Sequence, residues 1–205
     1  MALIKLNATQ GLTGALPAVS GANLTGIASD YVKISTTNIT SDVASVSITG
    51  IDNTYPNYKI IASEMCQSNT GSNLRFRFIN ASGDITNATY WGAYGGAYRP
   101  YNSAHGAVLG SIYDTNYGQV TNFNGSTNLS YGTSFEMNLP NPSNASTHPS
   151  CYGTIFTDAD NGTYVITGTF SCKHYNANSA VTGIKFFMGA NDLKQGKLTL
   201  YGIKG

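Results

Sequence analysis

His148, Cys151, Cys172 and His174 come nearest, by type and spacing, to a set that could hold a metal ion. His-x-x-Cys followed by Cys-x-His supplies the four nitrogen and sulfur donors of a tetrahedral zinc site. The second pair, however, lies in a run of alternating apolar residues, where Cys172 continues the face of Ile166 and Phe170. A small buried thiol is the expected role there, and no metal ligand is assigned. Thr157-Asp158-Ala159-Asp160-Asn161-Gly162-Thr163 has part of a calcium loop's spacing, but Thr163 to Thr169 contains no acid to close the coordination. Asn161-Gly162 reads instead as a two-residue hairpin turn. The chain has no Gly-x-Ser-x-Gly, Ser-x-x-Lys, His-Glu-x-x-His, Walker loop or Gly-x-Gly-x-x-Gly. The expectation is a protein with no catalytic residues and no cofactor.

The segment best suited to recognition is Tyr90-Trp91-Gly92-Ala93-Tyr94-Gly95-Gly96-Ala97-Tyr98-Arg99-Pro100-Tyr101. Flat rings carried on glycine-rich loops stack on sugars, and Tyr and Arg anchor protein contacts. Tyr90, Trp91, Tyr94, Tyr98, Arg99 and Tyr101 are therefore the candidate glycan or receptor contacts. The competing reading packs these rings into the domain or a subunit contact. Arg75 and Arg77 are expected to be ordinary solvated charges.

The elements that must position these residues are read from composition. Of 205 residues only 10% are charged, whereas Gly, Thr, Asn and Ser together make up 87. Thr and the 14 Tyr favour strands, while Gly, Asn and Ser favour turns. Period-2 alternation recurs: Val46 and Ile48; Leu74, Phe76 and Phe78; Tyr131, Thr133, Phe135, Met137 and Leu139; Tyr164, Ile166, Phe170 and Cys172; Ile184, Phe186 and Met188; Leu198 and Leu200. Asn124-Gly125 and Asn161-Gly162 are hairpin signals between such runs. The spacing predicts about nine to eleven strands in an all-β antiparallel sandwich, most simply a jelly roll. Residues 88–125 alternate poorly and are expected to be weak strands with long loops at one end.

Residues 1–30 differ from the rest of the chain and are assigned as an extended attachment arm, with residues 31–205 as the sandwich domain. The arm carries no charge between Lys5 and Asp30, and Leu12, Leu16, Pro17, Leu24 and Ile27 would be its contacts with another surface. The alternative is a floppy tail. A formal net charge of +1 excludes a nucleic-acid footprint. No apolar run approaches 18 residues, so no membrane span is expected, and no export segment is evident. Three cysteines cannot make a complete disulfide framework.

Taken in order, several stretches resemble the small jelly-roll domain of tailed-bacteriophage virion proteins. They are Ile48-Thr49-Gly50-Ile51, Tyr55-Pro56-Asn57-Tyr58-Lys59-Ile60-Ile61 and Leu74-Arg75-Phe76-Arg77-Phe78, then Ser134-Phe135-Glu136-Met137-Asn138-Leu139-Pro140-Asn141. Ala180-Val181-Thr182-Gly183-Ile184-Lys185-Phe186-Phe187 and Gly196-Lys197-Leu198-Thr199-Leu200-Tyr201-Gly202-Ile203-Lys204 resemble its ending. Leu16-Pro17-Ala18-Val19-Ser20-Gly21-Ala22-Asn23-Leu24-Thr25 is similar to segments of phage fibre proteins, especially of aquatic phages. The resemblance implies a homotrimeric, non-enzymatic protein of the virion surface, made in the host cytoplasm. Its partners would be its own copies, other capsid or tail proteins and, where it contacts the host, a surface glycan. With no shaft before the domain, a knob, short fibre or decoration subunit fits best. A carbohydrate-binding module is the alternative from a different class.

Overall fold

A computed structural model describes residues 29–87, 89–100, 106–121, 127, 132–159, 164–175 and 178–205, with side chains at 98–100, 108, 158–159 and 164 left out. Within them the strands are β1 (Tyr31–Ile39), β2 (Ser45–Thr49), β3 (Asn57–Gln67), β4 (Leu74–Asn80), β5 (Gly83–Asp84), β6 (Tyr90–Pro100) and β7 (Gly106–Thr115). They continue as β8 (Gly118–Gln119), β9 (Thr133–Pro140), β10 (Ser150–Ala159), β11 (Tyr164–His174), β12 (Gly183–Met188) and β13 (Leu193–Ile203). An eight-stranded sheet has the order β1-β13-β3-β9-β10-β11-β6-β7, and a second sheet runs β2-β12-β4 with β5 and β8 sharing the free side of β4. Every pairing between these strands is antiparallel. The fold is an antiparallel β-sandwich with jelly-roll-like crossings between sheets.

The alternating positions meet between the sheets. Tyr58, Ile60, Met137, Leu139, Leu198 and Leu200 of the large sheet are buried against Ile48, Phe76, Phe78, Ile184 and Phe186 of the small one. Phe135 and Phe186 bridge the two layers, with ring centroids 5.5 Å apart. Each such side chain contributes about 1.5–3 kcal/mol by leaving water. Ile166, Phe170 and Cys172 share the inner face of β11 as the alternation requires. Tyr131, Asn124-Gly125 and Asn161-Gly162 lie outside the described residues, yet β10 and β11 do pair across residues 160–163, with Ala159 opposite Tyr164.

Tyr90–Pro100 and Gly106–Thr115 are longer strands than the weak ones expected from the sequence, and they extend the large sheet to its far edge. Their inner faces lack an apolar period because rings alternate with glycines. Tyr94 covers Gly110, its cross-strand partner, and fills the space a side chain would occupy there. Gly96 and Gly168 face each other across β6 and β11, so close that a Cβ on Gly96 would stand 2.9 Å from the Cα of Gly168. Packing of this kind stabilises a strand without the residues usually associated with one.

Candidate interaction face and the aromatic segment

Because Tyr90–Pro100 is a strand, its residues alternate between the two faces of the large sheet. Tyr90 is fully buried: its hydroxyl accepts from the Phe78 amide at 2.9 Å and donates to the Ile85 carbonyl at 3.0 Å. It stacks on Phe78 at 5.7 Å, and burial raises its pKa far above the ordinary phenol value. Tyr90 therefore belongs to the core and presents nothing to a ligand. Tyr94 also points inward and packs against the core. The side chains of Tyr98 and Arg99 lie outside the described atoms, and Tyr101, Leu12, Leu16, Pro17, Leu24 and Ile27 lie outside the described residues.

Trp91 alone of this set is shown at the surface, 46% exposed. Its ring stacks on Tyr175 at 4.7 Å and 11°, and Tyr175 stacks in turn on His148 at 5.5 Å. The indole N–H donates to Asp114 at 2.9 Å, an aspartate held at φ +50°. The three rings form a ladder at one end of the sandwich, with one face of Trp91 already occupied.

Sequence reasoning missed a larger feature. The outer face of the eight-stranded sheet, the side that an isolated sandwich turns to solvent, carries exposed Ile61, Tyr152, Phe156 and Val165. At its margin the edge strand β7 exposes Leu109 (87%) and Tyr113 (72%). A trough of about 500 Å³ runs between Leu109 and Tyr152 over a floor of small residues, Ala93, Gly95, Gly153, Thr154 and Ser171. A second recess of about 310 Å³ continues from Asn138 and Tyr152 to Tyr31, where β1 begins. The one ion pair on this face joins Lys59 to Glu136 at 2.7 Å, among the described residues. The enclosed space beneath β6 and β11 holds about 20 Å³, little more than one water, so a ligand has no room between the sheets there.

Strand β7 has no proline and no charge from Gly106 to Tyr113, and near its end it carries a register shift against β6 and Asp114 at φ +50°. Its outer backbone groups pair with no other strand of the described chain. Edges of this kind join other chains unless charge, proline or a bulge blunts them. The opposite edge, β1, carries Lys33 and a register shift between Lys33 and Ser35.

Cys151, Cys172 and His174 lie on neighbouring strands β10 and β11 of the large sheet, facing inward. Cys151 and Cys172 are direct cross-strand partners, both buried as free thiols. Burial holds both thiols protonated; for Cys172 it pushes the pKa up to about 12. A thiol in that state is neither a ready nucleophile nor a ready metal ligand. His174 is buried edge-on against Tyr90 at 4.7 Å, with Nε2 2.9 Å from the Thr89 hydroxyl. No group of three or more His, Cys, Asp or Glu among the described residues is arranged to hold a metal ion.

Burial chiefly, helped by the nearby His148, holds the His174 pKa below the ordinary 6.5, against a hydrogen bond to the Asn87 backbone. Unfolding lets this imidazole take up a proton at a higher pH than folding does. Its stabilising contribution is therefore complete above pH 6.5 and is lost as pH falls from there through the lower folded value. Urea midpoints measured between pH 7.5 and 5 should fall, and His174→Gln should fall distinctly less over the same range. Parallel curves would place the acid sensitivity elsewhere.

Cys151, Cys172 and His174 are thus core residues, and His148 belongs to the ring ladder. Among the described residues, exposed large apolar side chains concentrate on the outer face of the large sheet and its β7 margin. No family model, curated protein or solved structure matches the chain.

Proposed function

We propose that the protein is a non-enzymatic structural subunit of a tailed-phage virion, a knob or decoration protein that assembles as a homotrimer through the outer face of its large sheet. The observation that carries this reading is that face: exposed Tyr152, Phe156, Leu109 and Tyr113 beside an edge strand that is uncharged from Gly106 to Tyr113. Interfaces deplete charge at their centres, which also suits a chain with only 10% charged residues. The virion context comes from the sequence resemblance, and residues 1–30, uncharged between Lys5 and Asp30, supply the attachment arm. Deleting residues 2–30 should abolish incorporation into particles while leaving the circular dichroism and melting of the sandwich unchanged. Normal incorporation of the shortened protein would remove the arm from the reading.

The ladder of Trp91, Tyr175 and His148 favours a second reading, a carbohydrate-binding module. It expects a monomer in which Trp91→Ala and Tyr98→Ala weaken adsorption to host cells or to an arrayed glycan by tenfold or more. Unchanged adsorption would assign these rings to packing.

A further inference from the structure

We infer that Arg75 and Arg77, on the outward face of the small sheet, form a binding site for the carboxylate or sulfate groups of an acidic polysaccharide. This inference does not rest on the trimer or on the virion assignment. The chain has three arginines, and two of them stand two residues apart on one face of β4. The strand's rise places them about 7 Å apart.

Neither side chain is the solvated charge expected from sequence. The Arg75 guanidinium lies over the Tyr117 ring, 4.0 Å from its centroid. It also lies against Gly189, where a Cβ would stand 2.7 Å from the Arg75 Cζ. Ring and glycine thus line a slot that holds the guanidinium. Arg77 lies over Phe187 at 4.8 Å, and its Nε donates to the Asn116 carbonyl at 2.8 Å. Stacking fixes both planes without cancelling their charge.

The acids that could neutralise them are engaged elsewhere. Lys185, opposite Arg77 on β12, pairs with Asp84 at 2.8 Å. Among the described residues carboxylates bridge only Lys59 and Lys185, and neither arginine forms an ion pair. The Arg75 Nε, screened from solvent, has no hydrogen-bond partner there either. Two fixed, uncompensated forks are suited to bidentate oxyanions, and prior immobilisation lowers the entropy cost of binding them. The hydroxyls of Ser45 and Ser47, on β2 beyond β12, continue the same face and suit neutral sugar oxygens. A nucleic acid would need a longer basic stripe than two arginines and a neutralised lysine.

The test uses the full-length protein and calorimetric titration at 20 and 150 mM salt. The probes are a sulfated heparin hexasaccharide, an oligogalacturonate, neutral dextran and a 20-base single-stranded DNA. Binding is expected to at least one of the two charged saccharides, and which one identifies the oxyanion. R75A/R77A should weaken it tenfold or more. G189A retains both charges but fills the slot, and should weaken it severalfold; K204Q, an exposed lysine just beyond β13 of the other sheet, should leave it unchanged. Thermal melts of each variant separate lost binding from lost folding, and R75K/R77K, which keeps charge and stems but not the forks, serves if the alanine variant does not fold. Absence of binding to both charged saccharides at low salt would overturn the inference. So would equal binding by G189A and R75K/R77K, or DNA binding as tight as the saccharide's.

Discussion

Gly153→Ala is expected to destabilise the sandwich by about 3 kcal/mol or more, at the upper end of overpacking effects. Gly153 sits on the inner face of β10, opposite Met137 on one side and Phe170 on the other. A Cβ there would overlap the Glu136 backbone carbonyl and stand 2.7 Å from the Phe170 ring. Neither neighbour can yield cheaply. The carbonyl belongs to β9 of the same ladder, and Phe170 is buried edge-on against Phe135 at 6.2 Å. Relief therefore requires the β9–β10 spacing to widen or the inter-sheet rings to repack. With the usual dependence of stability on urea, the unfolding midpoint should drop by about 1–2 M. A wild-type midpoint for Gly153→Ala would mean that β9, β10 and β11 do not pair in this register.

The second large effect concerns association. If the proposed trimer forms through this face, Tyr152→Asp combined with Leu109→Asp should convert it to monomer while leaving the stability of the separated domain within about 0.5 kcal/mol of wild type. Both side chains already face solvent in the single chain and border the same trough, so replacing them removes nothing from the core. In an assembled face each carboxylate would be stripped of water without a cation to receive it, a cost of several kcal/mol. Sedimentation velocity across a hundredfold range of concentration measures the change. An assembly that survives both substitutions would place the contact elsewhere.

Most strands were legible because one face of each is apolar. Leu74, Phe76 and Phe78, or Phe135, Met137 and Leu139, announce a period of two, and all six are buried. Strands β6 and β7 were legible only as weak strands, since their inward positions alternate Tyr94 with Gly92, Gly96 and Gly110. Those glycines pack through rings and backbone contributed by neighbouring strands, which no local pattern reports. The outer face was hidden for the opposite reason. On β10, Tyr152 and Phe156 are as apolar as the buried Cys151 and Ile155, so alternation could not say which face was inside. Exposure of both aromatic residues is itself the signal, legible once the inward parity of the strand is known. The Arg75 slot and the Trp91–Tyr175 stack depend on Gly189 and Tyr175, residues far along the chain from their partners.

The solution mass of the purified full-length protein, measured by light scattering with chromatography, bears most directly on the proposed role. A mass near three times the 21.7 kDa chain is the expected result. It would support the outer face of the large sheet as a subunit interface. A monomer that persists at high protein concentration would contradict the structural-subunit reading and leave the carbohydrate-binding module in its place.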